Sequence, residues 1–256
     1  MHLSDAQWEA IRPLLREKRR ADGRGRPWRE ARAVLDGVLW ILRTGARWRD
    51  LPREYPPYQT CHRRFQQWVR EGRLERILRA LAEDLLLRGA LDLEEAFIDA
   101  SFSSAKKGAN CVGPTRRGKG TKIMAIADRH GLPLALWVTS ASPHESRLVE
   151  ATLRARFCRA TPPRLVGDTA YDSDPLDQRL RQQFGVELIA PHTLQRSRPA
   201  SQDGRALRRY RRRWRIERLF AWLHNYRRVV TRWEYHAANF LGMVQLACVL
   251  VLLRHL

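Results

Sequence analysis

Glu95-Ala96-Phe97-Ile98-Asp99-Ala100-Ser101 is the stretch on which the fold of this chain turns. Apolar residues before it repeat at helical spacing; from here on they run in short strand-like blocks. Such blocks occupy 95–101, 121–127, 132–139, 164–168 and 186–190. Helical patterns fall at about 144–157, between the third and fourth blocks, and at about 175–184, between the fourth and fifth. The order β-β-β-α-β-α-β-α predicts an α/β fold, a mixed sheet flanked by helices on its faces.

Residues 1–90 read as helices alone and predict a small all-α, helix-turn-helix-like N-terminal domain ahead of a unit at 91–256. Ser4 and Gln7 have the spacing of a capping box, and Trp8, Ile11, Leu14 and Leu15 share one face. Pro13 is expected to kink or end that helix near Arg12. A polar turn over 23–27 precedes Val34, Leu35, Val38, Ile41 and Leu42, whose helical spacing stops at Gly45. Two further helices are expected at about 60–70 and 74–87. The first of these alternates basic and aromatic residues, so His62, Arg63, Gln66 and Gln67 are candidates for facing a DNA groove. An ordinary bundle helix with a solvated face is the competing reading.

The chain has 48 Lys and Arg against 27 Asp and Glu, a net charge of +21, and a pI near 11.2. A GC-rich genome explains arginine in place of lysine but not the excess of charge. Counterion release makes such a chain a ligand for polyanions, so nucleic acid is the expected partner. The acid-free loop 103–121 concentrates Lys106, Lys107, Arg116 and Arg117, together with Lys119, and Lys122 follows it. The four cysteines, Cys61, Cys111, Cys158 and Cys248, have no paired spacing and predict neither a zinc site nor a disulfide framework. The N-terminus lacks a signal-peptide pattern. Phe240–Leu253 is apolar but shorter than the ~20 residues a membrane span needs, and reads as a buried helix. A cytoplasmic, nucleoid-associated protein without membrane contact is expected.

Between Arg205 and Arg232 stand eleven arginines and a single acid, Glu217. A helix built for solubility mixes signs to gain i,i+4 pairs, so an isolated carboxylate here points to a metal ligand where a polyanion docks. Asp99 and Asp168 each end a strand-like run, and on neighbouring strands their carboxylates can share a metal with Glu217. Two hard cations held this way, ~4 Å apart, serve in-line phosphoryl displacement. Oxygen ligands suit Mg²⁺ or Mn²⁺ and not zinc. Gly167 allows a close backbone approach beside Asp168. Asp174 before Pro175 reads as a helix N-cap, Asp128 as a turn residue, and Asp172 as either a neighbour of the site or a turn residue. If 208–225 is one helix at ~100° per residue, Tyr210, Arg213, Glu217 and His224 share one stripe, which Arg228 extends. Tyr210, Arg213, His224 and Arg228 are therefore candidate phosphate contacts.

These residues resemble a known family, the DDE-type transposases of bacterial insertion sequences, in the compact group of the insertion-sequence-five family. Leu3-Ser4-Asp5-Ala6-Gln7-Trp8, Gly45-Ala46-Arg47-Trp48-Arg49-Asp50-Leu51-Pro52 and Thr60-Cys61-His62-Arg63-Arg64-Phe65-Gln66-Gln67-Trp68 resemble its helical N-terminal domain. Ile98-Asp99-Ala100-Ser101, Gly167-Asp168-Thr169-Ala170-Tyr171-Asp172 and Tyr210, Arg213 and Glu217 in the pattern Y-x2-R-x3-E-x6-K resemble its catalytic domain. His224 departs from the pattern's lysine. Separations of 69 residues (168 − 99) and 49 (217 − 168) leave no room for the large β insertion of some relatives. The resemblance implies a ribonuclease-H-like fold, with Asp99, Asp168 and Glu217 binding two Mg²⁺ ions, for which Mn²⁺ can substitute. It also implies cleavage at the terminal inverted repeats, strand transfer into target DNA, and a homodimer or higher assembly on double-stranded DNA. A same-fold nuclease that cuts without joining, and a transposase-derived regulator that only binds DNA, are the alternatives.

Overall fold

The computed structural model describes residues 3–17, 27–108, 110–194, 196, 199 and 204–256. Most of the expected 23–27 turn, residues 23–26, and parts of the 191–206 connection (195, 197–198 and 200–203) lie outside the described residues.

Four helices come first: α1 (Asp5–Leu15), α2 (Ala31–Thr44), α3 (Tyr58–Arg70) and α4 (Arg73–Leu87). The capping box at α1 forms as its sequence requires: Ser4 Oγ accepts from the Gln7 N–H, and Gln7 returns its amide oxygen to the Ser4 N–H. Pro13 does not end the helix at Arg12. It lies within the last turn, and α1 runs on to Leu15. There the ring costs only the terminal i→i−4 bonds, which fray in any helix. α2 stops at Gly45, whose φ of 69° is the left-handed conformation of a helix C-cap. Arg64 of α3 is buried between the rings of Trp28 (4.7 Å) and Trp68 (5.6 Å) and pairs with Glu17 at 3.0 Å.

The sheet comprises β1 (Ala96–Ala105), β2 (Gly113–Thr115), β3 (Gly118–Ala127), β4 (Pro133–Ser140), β5 (Arg164–Val166), β6 (Glu187–Ile189) and β7 (Thr231–Arg232). β1 pairs with β3 antiparallel along one edge. On its other edge β1 pairs parallel with β5 at residues 96–97 and with β7 at 104–105. β6 continues the sheet beyond β5 in parallel, while β2 and β4 follow one another along the far edge of β3. The five principal strands therefore lie in the order β4-β3-β1-β5-β6. All five were legible as apolar blocks; β2 and β7, of three and two residues, were not.

Helices α5 (Val149–Arg154) and α6 (Asp174–Phe184) join the later strands. The expected 144–157 helix is shorter, a 3₁₀ turn at Glu145–Leu148 leading into α5. Asp174 is not the N-cap: Ser173 holds that position, and Asp174 pairs with Arg196 at 2.7 Å. Asp128 is a buried turn residue, accepting N–H bonds from Asp92, His130 and Leu132. Asp172 accepts from His192, Thr193 and Arg196, which fixes those three residues against the turn after Tyr171. The 208–225 segment is not one α-helix. Short α7 (Gly204–Leu207) passes into a 3₁₀ stretch at Arg208–Arg212, then α8 (Trp214–His224) and α9 (Arg227–Val230).

The last helix, α10 (Ala237–Leu252), is apolar on all sides because it is packed on all sides, against α2, α3, α4, α8, α9 and β4. Ala237–His255 is long and apolar enough to cross a membrane by length and composition, yet 67% of it is buried inside the protein. Through α10 the N-terminal helices and the sheet share one hydrophobic core, from Leu3 to Leu253. The four cysteines are free. Burial pushes the thiols of Cys61 and Cys158 up to about 11 and about 12, so neither is a nucleophile at neutral pH.

Candidate active site

The parallel register of β1 and β5 pairs Phe97 with Val166. Two residues further along each strand stand Asp99 and Asp168. Both strands run the same way, so Asp168, just past the end of β5, stands beside Asp99, which lies within β1 and is paired to Ala125 of β3. Past β5 the edge of β1 stays open until β7 begins at Ser104, and Asp99 lies in that gap. Asp168 Oδ1 accepts the Ala170 N–H at 2.8 Å, capping the 3₁₀ turn Thr169–Tyr171. Gly167 is needed for this turn. A Cβ there would come within 2.6 Å of the fully buried Tyr171 ring.

The arginine-rich segment crosses one face of β1, and alternate residues of the strand meet it in order. Buried Glu95 accepts from Arg209 (3.0 Å) and Arg212 (2.6 Å). Asp99 Oδ2 accepts from Arg213 at 2.6 Å. Ser101 Oγ is 2.9 Å from His224 Nε2, and Ser103 Oγ donates to the Val229 carbonyl at 2.7 Å. A strand side chain points to the same face every second residue, so this one edge docks the whole segment. Arg213 also reaches Glu217 Oε1 at 3.0 Å, so its guanidinium bridges Asp99 and Glu217. The same guanidinium lies 5.9 Å from the centre of the Tyr210 ring. Glu217 is exposed.

Burial raises the Asp99 pKa above the usual carboxylate range, and the neighbouring Asp168 charge adds to it. The Ala100 N–H and Arg213 oppose the shift. Burial pushes the Arg213 guanidinium down, but Asp99 and Glu217 outweigh it and the net shift is upward. Stacked on Phe220 at 6.3 Å, His224 has a pKa lowered by burial, so at neutral pH its imidazole is uncharged. It stands where the family pattern has an ammonium, with one ring nitrogen engaged by Ser101.

The structure thus brings Asp99, Asp168, Arg213, Glu217 and His224 to one side of β1, with Tyr210 beside Arg213. Among the described residues no three His, Cys, Asp or Glu side chains converge at metal-ligating spacing. The donor chemistry nevertheless fits a hard cation. The acids offer oxygen alone, and a positive group, the Arg213 guanidinium, already sits between Asp99 and Glu217.

Arg228 is not on this face. Its side chain is buried, its Nε donates to Glu234 at 2.6 Å, and its Nη1 donates to the Gly45 and Ala46 carbonyls at 3.2 and 3.1 Å. The helix breaks after His224, which turns position 228 inward. His62 is half-buried against Trp48 at 4.6 Å, and burial, then the Arg228 charge, lowers its pKa. Arg63 is exposed and Gln66 half-exposed on α3, whereas Gln67 is spent on Glu17 and Glu71. Lys106, Lys107, Arg116, Arg117 and Lys119 are exposed at the end of the sheet where β1 finishes. Lys122 is turned inward to the Pro143 carbonyl (2.7 Å) and Glu145 (3.5 Å). Sequence reading missed Glu95, Ser101 and Glu145. The last accepts from the Tyr171 hydroxyl at 3.2 Å, beside Asp168. Glu95 and Ser101 could have been found from the two-residue period around Asp99.

Residues 91–252 match the family described as "Transposase DDE domain". The chain belongs to the DDE transposases. Residues 3–78 match a second family, "Putative transposase of IS4/5 family". The chain is 32% identical over 147 residues, 54% of its length and 65% of the relative's, to the "Putative transposase for insertion sequence element IS402" of Burkholderia cepacia. It is 30% identical over 138 residues, 52% of its length and 98% of the relative's, to the corresponding IS6501 protein of Brucella ovis. Among solved structures it is similar to piggyBac transposase in a synaptic complex with hairpin DNA. That match has a TM-score of 0.51 and 12% identity, covers 96% of this chain and 71% of the other, and speaks to the fold alone. The fold is the ribonuclease-H-like fold that the resemblance implied, built on the mixed sheet that the order of strand-like blocks predicted. As a DDE transposase the chain is an enzyme that cleaves DNA strands and transfers them.

Proposed function

We propose that Asp99, Asp168 and Glu217 are the catalytic acids of this transposase and hold two Mg²⁺ ions, with Mn²⁺ able to replace them. The observation that carries this is the docking of Arg213 between Asp99 and Glu217, which ties the third acid to the strand whose neighbour bears Asp168. Bound there, a divalent pair supplies charge neutralisation for the attacking and leaving oxygens of an in-line displacement. Were cations to take those carboxylates, Arg213 would be free to turn its fork to a phosphate, with Tyr210 packed beside it. His224, fixed by Ser101, donates or accepts one neutral hydrogen bond at the same strand. These groups position the phosphodiester; water attacks first, and the freed 3′ hydroxyl then attacks target DNA. Both steps use one site because they differ only in the attacking oxygen.

In this reading the terminal inverted repeats are held by the 1–90 helices, through Arg63 and Gln66 of α3, and by the basic sheet end. Two element ends must meet, so the working form is a homodimer or higher assembly on double-stranded DNA. A basic DNA-acting enzyme whose apolar helix is buried belongs in the cytoplasm, with the nucleoid, and away from membranes. The test is incubation of the protein with labelled element-end DNA, with Mg²⁺ or EDTA, beside Glu217→Gln and Asp99→Asn. Cleavage and joining lost in both variants is the expected result. Cleavage without joining would indicate a nuclease, and metal-independent binding alone a regulator.

A further inference from the structure

Behind β7 the chain alternates between interior and solvent: Arg232 and Glu234 are buried, whereas Trp233 and Tyr235 are 42% and 58% exposed. The buried pair forms a frame. Arg232, with no exposure, donates to the carbonyls of Glu234 (3.0 Å), Tyr235 (3.0 Å) and Cys111 (3.1 Å) and to Thr121 Oγ1 (2.8 Å). Glu234 is held by Arg228 at 2.6 Å. A turn so heavily bonded on its inner side has no need of two large aromatic rings in water on its outer side. Single exposed rings are ordinary, but two large ones two residues apart on a fixed backbone, rimmed by polar groups, offer a binding surface.

The surroundings identify the partner. The loop after β1 lies against this turn: the Lys106 N–H bonds the Arg232 carbonyl, and the Ala237 N–H bonds Asn110. Exposed Lys106 and Lys107 therefore leave β1 next to the turn that carries the two rings, and the β2–β3 hairpin brings Arg116, Arg117 and Lys119 to the same end of the sheet. Flat aromatic faces among cations are the chemistry of an unpaired nucleic-acid strand, stacked by its bases and held by its phosphates. We propose that Trp233 and Tyr235 form a stacking platform for unpaired nucleotides of the DNA strand at the active site. β7 joins β1 at Ser104, and the same register puts Trp233 level with Lys106, seven residues beyond Asp99, so the platform begins roughly 23 Å along the strand from the acids. That is the reach of a few unpaired nucleotides. The proposal rests on the reading of the chain as a DNA transposase and adds the single-strand contact.

The test uses the full chain and two DNAs of the same sequence, one blunt and one with four unpaired nucleotides beyond the element end, the latter carrying 2-aminopurine. Wild-type protein is expected to bind the tailed DNA more tightly and to quench the 2-aminopurine. Trp233→Ala/Tyr235→Ala is expected to lose that preference, on the order of tenfold per stacked base, and the quenching, with blunt-duplex affinity and melting temperature unchanged. Trp233→Phe should restore part of both. Equal affinity of the wild type for the two DNAs overturns the platform alone. Equal loss on both DNAs, or a fall in oligomeric state in the double variant, also overturns it, the latter in favour of an interface between copies. If the wild type binds neither DNA, the DNA-acting reading fails and the platform with it.

Discussion

Arg228→Met separates a structural role from a DNA-binding one at a position where sequence alone favours DNA. The substitution keeps most of the side-chain volume but removes three donated hydrogen bonds. Glu234 then loses its 2.6 Å partner, and the Gly45 and Ala46 carbonyls lose theirs. Both side chains of the pair are about 5% exposed (6% and 5%), so water cannot readily replace the lost contacts. Breaking one side of a buried pair costs about 3–5 kcal/mol, and orphaned carbonyls keep the cost at the upper end. We take about 4 kcal/mol, a large part of the ~5–15 kcal/mol by which a native protein is stable. At about 2 °C per kcal/mol for a chain of this size, the melting temperature should fall by roughly 8 °C. The loss has a second signature: Gly45 ends α2, so α2 and the turn at Glu234 should loosen together. Thermal denaturation followed by circular dichroism measures the first, and hydrogen exchange at residues 44–46 and 232–235 the second. Arg228→Met/Glu234→Leu should recover part of the stability, because no buried charge is then left alone. An unchanged melting temperature, with DNA affinity reduced and its salt slope smaller by about one, would refute the buried-pair account.

Acidification from pH 7 to 5 should lower stability. His62 has a depressed pKa in the folded protein, so the unfolded chain binds the proton first as pH falls through the ordinary histidine value, and His62→Phe should flatten that part of the melting-temperature profile. Millimolar Mg²⁺ or Mn²⁺ should raise the melting temperature of the wild type and leave Glu217→Gln and Asp99→Asn nearly unmoved; an equal rise in all three proteins would place the cation elsewhere. Gly167→Ala should push the Tyr171 ring away and weaken cleavage more than DNA binding, since the displaced turn carries Asp168. Affinity falling in step with cleavage would argue against that local cause.

Asp99, Asp168 and Glu217 stood out as candidates because each breaks a local pattern: two acids follow apolar runs, and a third interrupts a run of arginines. The five main strands were legible from the period-two and continuous apolar blocks around Phe97, Ile123 and Leu165. Helices α2 and α4 were legible from periodicity and the glycines that bound them. What could not be read were relations between distant segments. The sequence places Arg213 on a DNA-facing stripe; only the docking of α8 across β1 makes it a bridge between Asp99 and Glu217. It places Arg228 on the same stripe, because helical arithmetic assumes an unbroken helix, and the break after His224 turns that side chain into the core. Likewise His62 packs on Trp48, and Lys122 turns to Glu145 and the Pro143 carbonyl. Local pattern determines which backbone conformation a segment adopts and which residue types it carries. Whether a charged group meets solvent, DNA or a buried partner depends on desolvation and on neighbours a hundred residues away, and those are set only when the chain closes around its core.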